Sequence, residues 1–178
     1  GCGCYVRAGE RVLLDVRIPE AVLREMTEFF ARTGISCFYE GVGQCYCQNA
    51  ERPGFLPVRE YADFGGTPAV TVFSTREPEL PREILDPLER YFTYIRHPGY
   101  SEGIPKGYTK ATGMDVYLRH AGIPLARTVA MGDSANDLDM LRHAARAVAM
   151  GGSAEAALAA ADFVSRPCAE GGAAHALE

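Results

Sequence analysis

Apolar residues recur along this chain at two spacings, and the switch between them divides it. In YVRAGERVLLD, residues 5–15, short alternating runs flank Ala8 to Glu10, so the segment predicts a hairpin. IPEAVLREMTEFFARTG, residues 18–34, moves to helical spacing. Val22, Met26, Phe29, Phe30 and Thr33 fall on one side, Pro19 suits the first turn and Gly34 ends it. ISCFYEGVGQCYCQN, residues 35–49, returns to period two and predicts a second hairpin turning between Glu40 and Gly43.

The density of Pro and Gly from Arg52 to Thr67 predicts a long excursion with at most a short helix near Val58 to Phe64. AVTVFST is the next strand, and ELPREIL reads as a turn of helix. DPLERYFTYI then predicts a further helix, with Asp86 as N-cap, Pro87 at the first position and Glu89 three after the cap. After about Gly103 helices alternate with very short apolar strands: TKATGMDVYLRHAG, TVAMG, NDLDMLRHAA, AVAM, SAEAALAAA and DFV. That alternation means a parallel sheet covered on both faces. The expected architecture is an α+β part before about residue 103 and an α/β part after it.

Composition sharpens this picture by exclusion. The 178 residues are 47% apolar and carry a net charge of −5, which argues for a folded chain and against one that neutralises nucleic acid phosphates or anionic lipid. The expected partners therefore include neither nucleic acid nor a membrane, and oligomeric state is not legible. Six cysteines are few for this length, and the spacing in CGC and CYC is too tight for zinc knuckles, so they read as reduced thiols. With no signal peptide or long apolar run in view, the expected compartment is the cytoplasm.

The chemistry concentrates in ARTVAMGDSANDLDMLRHA. If Val129 to Met131 form a central strand, Gly132 permits a close turn and Asp133 sits at its carboxyl edge, where ligands of open parallel sheets bind. A helix opening near Asn136 lets Asp133 and Asp137 address one small volume. Two carboxylates, an amide and free helix N–H groups suit a hard cation and an oxyanion, with Mg²⁺ the best fit. Asp139 should face away. The same residues would also serve as ordinary helix-start caps. The loop is not an EF-hand, because Ala135 and Leu138 stand where Asp or Asn and Gly belong. Upstream, IPKGYTKATG places Lys106 and Lys110 at a helix start, where a cation is mildly disfavoured unless it meets an anion. No P-loop follows, and no Ser or Cys hydrolase pattern appears around His97, His120, His143, His175 or Cys168.

VAMGDSANDLDML, with KGYTKATG upstream and ARAVAMGGSAEAALAAADFVSRPCAEGGAAHALE downstream, resembles the haloacid dehalogenase superfamily, specifically its Cof-like phosphatases with a type IIB cap. The resemblance implies an α/β fold, the C-terminal part of a Rossmann-like core with a parallel sheet plus an α+β type IIB cap. In that scheme residues 1–14 are a leading hairpin and core remnant, 15–103 the substrate-selecting cap, and 104–178 the core. It implies a Mg²⁺-dependent phosphatase that passes through an aspartyl phosphate on a small phosphorylated metabolite such as a sugar phosphate. Carried over, Lys110 steadies the nucleophile and the transferring phosphoryl group, Asp133 and Asp137 hold the metal, and Asn136 orients the site.

Departures from the family pattern accompany it. No Asp-x-Asp precedes the cap-like segment, since Asp15 and Asp63 lack an Asp two positions on. Gly152 stands where an Asn is usual and Leu158 where a Lys is usual. The simplest expectation is a chain short of roughly 80 to 90 residues at its front, inactive alone but able to bind cation and phosphate. A non-catalytic phosphate- or metal-binding protein is the alternative, and a phosphomutase a third.

Overall fold

The computed structural model describes residues 1–66, 69–76, 80 and 82–178, and of 83–85 the backbone. Its contacts divide the chain into two units. One holds Gly1, Gly3–Tyr5 and Asp15–Gly107, the other Cys2, Val6–Leu14 and Tyr108–Glu178. The leading hairpin is β1 (Tyr5–Ala8) and β2 (Arg11–Asp15).

In the first unit, α1 (Glu20–Thr33) starts after Pro19 and stops where Gly34 turns left-handed at φ 69° and its N–H bonds the Phe30 carbonyl. Val22, Leu23, Met26 and Phe30 point inward with at most 4% exposure. Each such side chain contributes about 1.5–3 kcal/mol by leaving water. They meet a six-stranded sheet of β3 (Cys37–Gly41), β4 (Cys45–Gln48), β5 (Phe55–Pro57), β6 (Val70–Thr75), β7 (Phe92–His97) and β8 (Tyr100–Pro105), ordered β5-β4-β3-β6-β8-β7. All neighbours run antiparallel except β4 and β5. The side chain of Gln48 ties the layers together: it accepts from the Tyr39 hydroxyl at 2.6 Å and donates to the Thr27 carbonyl of α1 at 2.8 Å. Phe30, Phe73 and Phe92 stack edge-on or tilted through the middle of this core. A Cβ at Gly103 would land inside the Phe73 ring, so the sheet closes there only around glycine.

Two expectations fail in this unit. The helix read from Asp86 to Ile95 is absent. Instead α2 (Arg82–Leu88) runs through Asp86 and Pro87, and residues 92–97 form β7. Six register pairs with β8 supply its backbone partners, and the aromatic and β-branched run Phe92-Thr93-Tyr94-Ile95 suits a pleated surface better than a helix. The stretch ELPREIL lies partly outside the described residues. The excursion after Arg52 contains, besides a 3-10 turn at Tyr61–Phe64, the short strand β5 parallel to β4.

The second unit has three parallel strands, β9 (Val129–Gly132), β10 (Arg146–Ala149) and β11 (Phe163–Val164), in the order β11-β10-β9. Between them run α3 (Lys110–Ala121) before β9, α4 (Leu138–His143) and α5 (Glu155–Ala159), with α6 (Gly172–His175) last. The core is small-residued: Ala130, Leu141, Ala147 and Ala157 are buried. Register sets Gly132 opposite Ala149, so β9 and β10 end level and the segments after them converge. Among the described residues, no helix is long and apolar enough to cross a membrane.

Candidate functional site

The site begins where β9 ends. At Gly132 a Cβ would come within 2.5 Å of the Asp137 Cβ, so glycine is what allows the following turn to fold Asp137 back beneath the strand end. There Asp137 Oδ2 accepts the backbone N–H of Asp133 at 3.0 Å and of Ser134 at 3.1 Å. Ser134 closes the reciprocal capping arrangement typical of a helix start.

Lys110 arrives from the other side. Thr109 caps α3 by accepting the Thr112 N–H, which makes Lys110 the first helical residue. Its Nζ donates to Asp137 Oδ1 at 2.6 Å and to Asn136 Oδ1 at 3.1 Å. The mild penalty for a cation at a helix N-terminus is thus offset by a short charge-assisted contact. Asn136 Oδ1 also accepts from Ser134 Oγ at 2.8 Å, which fixes the orientation of the amide, and its Nδ2 reaches Cys2 Sγ at 3.8 Å.

The electrostatics follow. Burial, the largest single influence on Asp137, pushes its carboxyl up. The hydrogen bond from Lys110, those from the Asp133 and Ser134 backbone and the Lys110 charge together outweigh it, and the group is held below the usual carboxylate range. Asp137 is therefore an anion whose two oxygens are both occupied, while Asp133 and Asp139 lie exposed.

Of the residues the sequence singled out, Lys110, Asn136 and Asp137 are drawn into direct contact. Asp133 joins them through its backbone N–H, with its carboxylate turned to solvent. Lys106 belongs to the first unit, where its N–H bonds the Tyr91 carbonyl. As a cation site the cluster offers hard oxygen donors, and a Mg²⁺ ion, which uses one or two carboxylates and otherwise water or substrate oxygens, fits the Asp133 carboxylate. Asp137 would first have to release Lys110 or a backbone N–H. Among the described residues no group of three His, Cys, Asp or Glu side chains forms a closed metal cage.

Three polar pairings were not legible beforehand. His97 is the last residue of β7 and is buried with Nε2 at 2.9 Å from Glu102. His143 meets Asp115 at 2.7 Å between α4 and α3, and Ser165 Oγ lies 3.0 Å from His175 Nδ1. Each pair forms only when separate elements dock, so no sequence spacing announces it. All six cysteines are free thiols.

A family model described as haloacid dehalogenase-like hydrolase matches residues 2–177. The chain belongs to this family. Phosphatase or phosphotransferase chemistry on small phosphorylated substrates is the family's general activity, and the α/β core with a separate IIB-type cap region is its fold, as expected.

Among solved structures, a subclass IIB sugar phosphatase of the superfamily superposes with a TM-score of 0.82 at 28% identity, covering 98% of this chain and 72% of that one. A haloacid dehalogenase-like hydrolase from Bacteroides thetaiotaomicron gives 0.78 at 22% identity, covering 94% and 69%, a likeness of fold alone. An uncharacterized protein from the pdhA 5′ region of Geobacillus stearothermophilus is 35% identical over 88 residues, 49% of this chain and 93% of that protein.

One expectation is corrected. The chain was read as a Cof-like member cut short at its front, whereas the family match extends over residues 2–177 and the IIB likeness over 98% of the chain. The assignment that holds is the haloacid dehalogenase-like superfamily with a IIB-type cap fold, matched over nearly the whole of residues 1–178.

Proposed function

We propose that the protein is a Mg²⁺-dependent phosphomonoester hydrolase that acts on a small phosphorylated metabolite such as a sugar phosphate, through an aspartyl-phosphate intermediate. The observation that carries this reading is the 2.6 Å contact between Lys110 Nζ and Asp137 Oδ1 beside the exposed Asp133, at the carboxyl end of a parallel strand. The 28% identity to a subclass IIB sugar phosphatase supports the substrate class.

In this reading Asp133 holds the metal with Asp137 behind it, and the metal supplies charge neutralisation at the phosphoryl oxygens when bound. Lys110 adds positive charge where negative charge is held in the transition state, and Asn136 keeps the Lys110 ammonium and the Ser134 hydroxyl in register. The ester P–O bond breaks and the alcohol leaves with a proton. Water finally adds its oxygen to phosphorus as the bond between phosphorus and the carboxylate oxygen breaks, and the proton the water gives up balances the one the alcohol took. The carboxylate that carries the phosphoryl group in between is none of these four residues. Residues 15–103 serve as the substrate-selecting cap and 104–178 as the core.

The test is phosphate release by the protein expressed from its whole gene, over a panel of sugar phosphates with Mg²⁺. Release is expected, abolished by EDTA and lowered about 10²- to 10³-fold in Lys110→Met. A specific observation also favours a non-catalytic phosphate- or metal-binding protein: no Asp-x-Asp stands ahead of residue 103. Phosphate binding without any release would select that second reading, and neither binding nor release would sink both.

A further inference from the structure

Residues 1–4, GCGC, form a turn with an unusual backbone. The Cys4 N–H donates to the Gly1 carbonyl at 2.7 Å, and the two residues between them are both left-handed, Cys2 at φ 43° and Gly3 at φ 85°. Such a turn draws on Gly, Asn and Asp at its corners, because a Cβ crowds the neighbouring carbonyl when φ is positive. Gly3 meets that demand and Cys2 does not. A left-handed residue of this kind persists only where its surroundings hold it, and such residues collect at functional sites.

The thiol shows what Cys2 meets. Cys2 groups with the second unit, and its Sγ accepts from Asn136 Nδ2 at 3.8 Å. At the other end of the same amide, Asn136 Oδ1 accepts from Lys110 Nζ at 3.1 Å and from Ser134 Oγ at 2.8 Å. The two ends of an amide are chemically opposite, an acceptor oxygen and a donor nitrogen. Turned over, the amide would aim its N–H groups at the Lys110 ammonium and its oxygen at a thiol, which donates only weakly. The sulfur thus favours the one orientation in which Asn136 and Asp137 together hold Lys110. Sulfur is a weak acceptor, so the contact steers more than it binds.

We propose that Cys2 is a positioning residue of the second unit's site: its sulfur sets the Asn136 amide, and through it the place of the Lys110 ammonium. The inference rests on the phosphatase reading, in which Lys110 must meet charge on the transferring phosphoryl group in a fixed geometry. It gives Cys2 no contact with substrate and no covalent step.

Two substitutions separate the side chain from the backbone. Cys2→Gly removes the sulfur and suits a positive φ, whereas Cys2→Ser keeps a polar acceptor on a shorter bond. The assay is phosphate release with Mg²⁺ by the protein expressed from its whole gene, on the sugar phosphate of the panel that is hydrolysed fastest. Cys2→Gly should lower kcat about tenfold with KM held within about twofold, and Cys2→Ser should fall between it and the unsubstituted enzyme. Thermal unfolding should find Cys2→Gly no less stable, and the side-chain amide resonances of Asn136 should shift in its heteronuclear NMR spectrum. An active unsubstituted enzyme whose Cys2→Gly variant keeps its kcat, or whose Asn136 resonances stay in place, overturns this inference and leaves the phosphatase reading standing. A Cys2→Gly variant that is slower but also unfolds earlier marks a packing role, and Cys2→Ser no faster than Cys2→Gly denies the acceptor. Either result overturns the inference as well. If the unsubstituted protein releases no phosphate, the phosphatase reading falls and takes this inference with it.

Discussion

The two units of this molecule are held together by different means. The first is built on large side chains: Phe30, Tyr39, Phe73 and Phe92 are almost wholly buried against one long helix. The core of the second is mostly alanine, and its most elaborate feature is polar, the junction of Lys110, Asn136 and Asp137 with the backbone of Asp133 and Ser134. Antiparallel strands present a broad face of side chains, whereas parallel strands that end level bring helix starts and backbone N–H groups to one edge. Anion and cation chemistry collects at such an edge. Shape in the first unit comes from apolar volume, and in the second the same hydrogen bonds set both structure and site.

The sharpest way to break this comparison is to empty the aromatic core. Phe30→Ala should cost about 3–5 kcal/mol, read by denaturant unfolding, and should act on the first unit. Asp137→Ala comes next. It leaves Lys110 without its anion and two N–H groups without an acceptor, at about 2–3 kcal/mol because the Lys110 side chain is still 32% exposed. An equal or larger loss in this variant than in Phe30→Ala would contradict the contrast drawn between the units.

Acid should discriminate between them more gently. The Asp137 carboxyl is held below its ordinary value, so its contribution to stability is complete above about pH 4 and disappears as pH falls through the lowered folded value. Thermal scans between pH 7 and pH 3 should show destabilisation of the second unit at the acid end that is reduced in Asp137→Ala. The smallest effect on stability belongs to Asp133→Asn, within about 0.5 kcal/mol since its side chain is exposed. Under the proposed function this same change removes Mg²⁺-dependent phosphate release, so a neutral effect on both measurements would take Asp133 out of the site.

Much of the second unit was legible from residues 104–178 because each element there carries its own local signal. Thr109 and Gly122 bound α3, the apolar runs of β9 and β10 are isolated, and Ser134 to Asp137 spell a helix start. The first unit was less legible where local signals competed. Asp86, Pro87 and Glu89 imitate a helix start, yet the alternation from Phe92 onward prevails once β8 supplies partners. No periodicity marks β5, whose three residues are strand only because β4 lies beside them.

Residue order by itself determined the alternation of helices and strands after residue 108, the two hairpins, α1 and the set of acids with a lysine that can meet around a strand end. These rest on contacts within a few residues or on a period that a short segment displays alone. Tertiary structure alone decided that Asp137 takes Lys110 while Asp133 stays open to solvent, that His97 is buried against Glu102, and that Arg52 and Arg76 lie over one phenylalanine. Such facts depend on which distant groups reach a given donor first, and that is settled only when separate elements dock and water leaves.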